Sequence, residues 1–498
     1  MKRPNILYFM SDDHSANSIS CYGSILAEVF KTPNLDRIGN EGVRMENFYA
    51  TNSICTPARA TVVTGQYGHI NGVRTLADEL DTENGCPSMP SLIHDSGYTT
   101  AMIGKWHVGS RPAGFDEYKY LVDKFGTDKP GQGIYQDPFF FEKEADDVVR
   151  HTGYVSDIIT DMSIDWLRKR DADKPFFMMC HHKAPHDFWE YPERHEAMFD
   201  GVEIPTPDSL FEDRSHRSIA SRDFGSSVTP RNPIRSLYED FSKENYVTGP
   251  LKVADDASFE DKGNAAYQKY LKDYLRTVAG IDDSVGAILD ELEAQGELDN
   301  TLIIYTSDQG MFLGEHDYQD KRWSFEESLR SPFLVRYPKE IKAGSVCNEL
   351  ACNLDVAPLL LDVAGVEIPE EIQGVSFKKL LSGEVESVRD SVYFRYWMHL
   401  AHRHDNPAHY GIRTKDYKLI FYYGLPLDAT GTLEQKTPAG WELYDLKNDP
   451  KECQNVYGKE GYDEITTELK ALLADRKKFY KDEDGDYPEL LERLANTK

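Results

Sequence analysis

The chain has 498 residues, 40% of them hydrophobic, enough to bury a large α/β core and a smaller domain beside it. A formal net charge of −29 repels phosphates and argues against nucleic acid as a partner, and no apolar run is long enough to span a membrane. Seven cysteines without framework spacing or paired C-x-x-C motifs argue against a disulfide scaffold and a zinc ribbon.

In chain order, Asn5-Ile6-Leu7-Tyr8-Phe9-Met10 is a continuous apolar run of strand length, the pattern of a strand buried on both faces. It ends in Ser11-Asp12-Asp13-His14. With Lys2-Arg3 before it, the run is too short for a secretion signal. The expectation is a cytoplasmic chain, or a periplasmic or secreted one whose signal has been removed. In Asn52 to Gly65, Pro57 suits the first turn of a helix over Ala58 to Thr64, with Gly65 as its C-terminal cap. Cys55 then lies just before a helix start, where anions are favoured, and Arg59 points its charge back toward it from one turn on. A lone cysteine is more often a small buried hydrophobe. Cysteine, helix start and arginine together describe an oxyanion site.

Three further strands repeat the first pattern. Thr99 to Ile103 ends in Gly104-Lys105-Trp106-His107-Val108-Gly109, and Pro175 to Cys180 ends in His181-His182-Lys183-Ala184-Pro185-His186. Thr301 to Thr306 ends in Ser307-Asp308-Gln309-Gly310. Helical periodicity fills Tyr154 to Arg170 and Tyr267 to Gln295, so strands and helices alternate as in a parallel sheet covered on both faces. Ligands bind beyond the carboxyl ends of such strands, and here all of those ends carry ionisable or amide groups. Asp12, Asp13, Asp308 and Gln309 offer hard oxygen donors whose mutual repulsion calls for a cation, Ca²⁺ before Mg²⁺ and either before zinc. The competing role for Asp12 or Asp13 is a helix cap.

Cys55-Thr56-Pro57-Ala58-Arg59, continued to Thr64-Gly65, resembles the Cys-x-Pro-x-Arg signature of type I sulfatases. Gly104-Lys105-Trp106-His107-Val108-Gly109 resembles a second motif of the same family, as do the Asp12-Asp13 pair and Asp308-Gln309, where asparagine is commoner than Gln309. The resemblance implies an alkaline-phosphatase-like fold: a mixed sheet sandwiched by helices, with a smaller C-terminal antiparallel-sheet subdomain. It implies that Cys55 is oxidised to formylglycine by a maturation enzyme, and that residue 55 joins Asp12, Asp13, Asp308 and Gln309 around Ca²⁺. Lys105 and Lys321 match the family's sulfate-binding lysines, His186 the proton donor to the leaving alcohol, and His107 the base that releases sulfate. His182 and Arg322 are expected to reach the substrate.

Asp200 to Lys262 is Pro-, Ser- and charge-rich without sustained periodicity and reads as a surface insertion, one that could shape the pocket mouth. A boundary near Val385 divides a catalytic domain over 1–385 from a C-terminal subdomain over 386–498. The latter's expected strands are Ser391 to Tyr396, Tyr410 to Thr414 and Tyr417 to Tyr423, with a helix over Glu464 to Tyr480. Lys481 to Asp486 reads as a mobile acidic linker. The histidine-rich stretch Trp397 to His409 is by default a solvated loop. Its place in the matched subdomain makes His402 and His409 candidate contacts to sugar hydroxyls or a uronate. The expected function is removal of sulfate from a sulfated saccharide. The rivals are a phosphonate or phosphate monoester hydrolase of the same superfamily and a non-catalytic protein that binds sulfated glycans.

Overall fold

A computed structural model describes residues 3–82, 85–123 and 128–497. The four buried strands expected from sequence form its centre. They are β1 (Asn5–Ser11), β3 (Thr99–Gly104), β7 (Phe176–His181) and β8 (Thr301–Ser307). Beside them lie β2 (Val43–Tyr49), β4 (Glu117–Leu121), β5 (Phe139–Glu142), β6 (Asp147–Arg150), β9 (Phe333–Arg336) and β10 (Ser345–Cys352). The sheet runs β10-β2-β9-β8-β1-β7-β3-β4-β5-β6. From β8 to β4 every pairing is parallel, whereas β9 and β5 join antiparallel, which makes the sheet mixed.

The period of two along β1 explains its continuous apolar run. Ile6, Tyr8 and Met10 enter one core with the helices Cys55–Thr64 and Val356–Ala364. Leu7 and Phe9 enter another, under Val155–Lys169 and Phe259–Ala294. Each such fully buried side chain contributes roughly 1.5–3 kcal/mol, so the strand cannot slip by one residue. All strand ends on the carboxyl side of the parallel block therefore stay at one edge.

The second sheet orders β11 (Ser391–Tyr396), β12 (His409–Thr414), β13 (Tyr417–Tyr422) and β14 (Gly440–Asp445), all antiparallel. The helix Asp463–Phe479 packs Leu469 and Leu473 against it. That core also takes in Tyr49, Trp323 and Leu350 from the large sheet's side, so the two sheets share apolar packing.

Two expectations need correction. Lys481 to Asp486 is no loose acidic linker: Asp482 receives Arg395 Nη1 at 2.6 Å and Asp484 receives Lys477 Nζ at 2.7 Å, and both carboxylates are buried. Nor is Asp200 to Lys262 merely superficial. Leu210, Val228, Leu237 and Phe241 are buried against Tyr267, Tyr270 and Tyr274 of the long helix. That helix begins at Phe259, because the Ser258 side chain accepts from Asp261 N and caps it there.

Among the described residues, no helix is long and apolar enough to cross a membrane.

Candidate active site

Four strand ends and one helix start converge on Cys55. The helix begins at Cys55 itself, and all ten of its residues are buried. Gly65 (φ 64°) ends it in the left-handed region, its N–H returning to Thr61 O at 2.8 Å, as the sequence implies. Cys55 Sγ donates to Asp12 Oδ1 at 3.1 Å. Burial first, then the Asp12 carboxylate, pushes the thiol well above its usual range. An unmodified Cys55 is thus a protonated thiol and a poor nucleophile.

Arg59 lies beneath it, donating Nε to Asp308 Oδ2 at 2.9 Å and Nη1 to the Lys105 carbonyl at 2.5 Å. The end of β3 reaches this point only because Gly104 has no side chain. At φ 107°, a Cβ there would collide with the His181 carbonyl oxygen. The next residue, Lys105, pairs its Nζ with Asp12 Oδ2. Lys321 Nζ lies 2.6 Å from Asp13 Oδ2, so each lysine sits on a separate aspartate.

Asp12, Asp13 and Asp308 each place an oxygen within 4.8 Å of the others. Burial, then the Asp12 charge, pushes Asp308 up to about 7 even with Arg59 beside it. Burial opposes ionisation of Asp12 as well, yet Lys105, His186 and Arg59 hold it well below the usual carboxylate range. Gln309 donates Nε2 to Asp13 Oδ1 at 2.5 Å and leaves a buried Oε1 without a partner. This all-oxygen donor set, crowded with like charge, fits a hard divalent cation.

Above the cluster opens a cavity of about 500 Å³, in the range that encloses a small ligand. Cys55, Lys105, His107, His186, Lys321 and Arg322 line it. Burial, then Lys105, pushes His107 well below its usual range, which leaves its imidazole neutral, with Nδ1 unpartnered. His186 lies with Nε2 3.7 Å from Asp13 Oδ2 and Nδ1 2.7 Å from Asp187 Oδ1. Arg322 is tied to Asp320 at 2.9 Å, and the exposed His402 stands on the cavity rim.

Two expected substrate contacts lie elsewhere. His182 is fully buried on the face of the sheet that the long helix covers, with Nε2 3.2 Å from Ser284 Oγ of that helix. Alternation along the strand end turns it away from the cavity, and burial pushes it down to about 4. His409 is buried in β12 between aromatic rings, its Nδ1 2.8 Å from the Pro407 carbonyl. Several cavity residues are not singled out by the sequence, Asp187, Asp320 and His404 among them. Adjacency to His186 and Lys321 could have flagged the first two. Nothing local distinguishes His404 from its neighbours.

A family model described as Sulfatase matches residues 4–366, and one described as N-sulphoglucosamine sulphohydrolase, C-terminal, matches residues 314–479. The chain is 41% identical over 520 residues to the N-acetylglucosamine-6-O-sulfatase of Bacteroides thetaiotaomicron, covering 98% of this chain and 88% of that one. It is 27% identical over 508 residues to an arylsulfatase of Clostridium perfringens, covering 95% and 94%. Among solved structures, a protein in complex with its substrate D-glucosamine-2-N,6-O-disulfate has a TM-score of 0.84 at 39% identity, covering 98% of this chain and all of the other. The phosphonate monoester hydrolase of Agrobacterium radiobacter, at TM-score 0.72 and 21% identity over 96% of each chain, shares the fold. Because the first family match spans every strand end that builds the cavity, the chain belongs to the sulfatase family and is a sulfuric ester hydrolase.

Proposed function

We propose that the chain removes the 6-O-sulfate from an N-substituted glucosamine unit of a sulfated saccharide, using formylglycine at position 55 and a divalent cation, Ca²⁺ before Mg²⁺. The observation that carries this reading is the cavity itself. Residue 55 stands at its base, between two buried lysines, an unpaired neutral imidazole and a second imidazole backed by a carboxylate. The similarity to a 6-O-sulfatase along nearly the whole chain supports the choice of sugar and position.

Hydrated formylglycine would supply an oxygen nucleophile at position 55, and Asp12, Asp13, Asp308 and Gln309 would hold the ion, which would supply positive charge to the site. The remaining work falls to this chain's side chains. Lys105 and Lys321 offset charge that develops on the sulfuryl oxygens, in a site too buried for water to screen it. His186 delivers a proton from Nε2 to the departing sugar oxygen. His107, kept neutral by burial, takes up the proton lost from residue 55 when sulfate is released. Arg322 and His402 offer hydrogen bonds to the sugar at the cavity mouth.

Activity on N-acetylglucosamine-6-sulfate, followed as sulfate released by the matured enzyme, tests the reading. Turnover of a phosphonate monoester in its place would overturn it. His402→Ala is expected to lower kcat/KM on the sugar sulfate by roughly tenfold, the value of one hydrogen bond, and to leave a small aryl sulfate unaffected. Exhaustive chelation is expected to cost both activity and thermal stability, since an ion bound only by the folded state stabilises it by mass action. Restoration by Ca²⁺ and not Mg²⁺ in a melting experiment would identify the ion. No change in either quantity would remove the metal role of Asp12, Asp13 and Asp308.

A further inference from the structure

His186 is held from outside the cavity. With Nδ1 engaged by Asp187 Oδ1 at 2.7 Å, its ring keeps Nε2 on the side of Asp13 and the cavity. The second Asp187 oxygen receives Arg235 Nη2 at 3.2 Å. Arg235 comes from the middle of the 200–262 stretch, is 14% exposed, and does not line the cavity. Its other terminal nitrogen, Nη1, donates to His404 Nε2 at 2.7 Å. His404 in turn places Nδ1 3.0 Å from Asp320 Oδ2. Burial pushes His404 down to about 3, so the ring is neutral and donates at Nδ1 while it accepts at Nε2. Asp320 then holds Arg322 at 2.9 Å and Lys321 at 3.4 Å, and Lys321 returns to Asp13 at 2.6 Å.

The contacts therefore close into a ring around the cavity, and Arg235 is the link between its proton-donating and sugar-facing sides. Two features make that link directional. The guanidinium is planar, so contacts to Asp187 and His404 from its two terminal nitrogens fix the angle between them, which a lysine cannot do. Asp187 is also held from the far side, where buried Lys183 donates Nζ to its carbonyl at 3.2 Å.

We propose that Arg235 is a positioning residue for the sulfatase reaction, orienting Asp187 and through it His186, and tying that pair to His404 across the cavity. The proposal rests on the reading that His186 protonates the departing sugar oxygen. A purely structural Arg235 would anchor the 200–262 stretch and do nothing for the proton donor.

A double-mutant cycle separates these roles. Arg235→Ala, Asp187→Asn and the double variant are matured, checked by mass spectrometry for formylglycine, and assayed on N-acetylglucosamine-6-sulfate. If Arg235 acts through Asp187, Arg235→Ala lowers kcat by roughly tenfold or more, because a misplaced proton donor costs rate and not binding. KM stays within about threefold of the wild type, and in the Asp187→Asn background the arginine's loss costs no more than about twofold in kcat. Arg235→Lys, which keeps the charge and loses the fork, recovers only part of the rate. Additive losses, or a loss confined to KM or to the melting temperature, overturn the proposal. Should Arg235→Ala not fold, Arg235→Gln replaces it in the same cycle. If the wild type leaves this sugar sulfate intact and cleaves another sulfated saccharide, the substrate assignment fails, and the cycle is read on the ester that is cleaved.

Discussion

Replacing Cys55 by alanine or by serine is expected to abolish sulfate release, by roughly 10⁴-fold or more, with the fold intact. The magnitude follows from what is removed. Neither variant can be oxidised to an aldehyde by the route that starts from a cysteine thiol, so the covalent step loses its nucleophile. The fold is spared because Sγ contributes little packing, and Asp12, to which it donates, keeps its pairing with Lys105. Assay of sulfate release beside a melting curve checks both halves. Full activity in purified Cys55→Ala would end the formylglycine mechanism for this chain. Peptide mass analysis of the wild type complements it: the active fraction should track the fraction of residue 55 present as formylglycine.

The second large effect concerns stability and lies far from the cavity. Asp482→Ala is expected to cost about 3–5 kcal/mol in chemical denaturation, the usual penalty for leaving one partner of a buried ion pair uncompensated. Arg395 is buried, 2.6 Å from Asp482 and 3.4 Å from Asp484, with its guanidinium 3.6 Å over the Trp397 ring. Tyr393 OH also donates to Asp482, and His69 lies 3.7 Å away, so one carboxylate joins the second sheet to a helix of the large domain. Burial alone would raise Asp482; Arg395, His69 and Lys477 outweigh it and hold the folded carboxyl far below the unfolded value of about 3.9. Its stabilisation is therefore fully present above the unfolded pKa and is lost as pH falls toward the folded one. The wild type should lose more stability than Asp482→Ala on acidification below about pH 4. A variant within about 0.5 kcal/mol of the wild type at neutral pH would return this segment to the status of a solvated linker.

What could be read from the chain alone followed from short-range rules. The strands β1, β3, β7 and β8 announced themselves because both faces are buried, which leaves an uninterrupted apolar run ending in polar residues. Pro57 and Gly65 bracketed the helix that carries Cys55 by backbone preference alone, although the helix starts at Cys55 and not beyond it. The outer strands were not legible in this way. β10 alternates half-buried and exposed residues over its first half, and β6 is partly exposed throughout, so neither carries a continuous run.

Within the site, resemblance to family motifs singled out residue 55, the acidic pair, the two lysines and His186, and the structure brings these residues together. Only the tertiary structure decided which neighbouring histidines face the cavity. His182 is four residues from His186 and His409 seven from His402, yet strand alternation and aromatic packing turn His182 and His409 away. It also decided that Asp482 and Asp484 are structural anchors, and that Arg235, 48 residues from Asp187 in sequence, closes the ring behind His186. Charge pairs of this kind are set by distance after folding. A carboxylate's partner is whichever cation the packed elements bring within about 4 Å, and sequence separation carries no information about that.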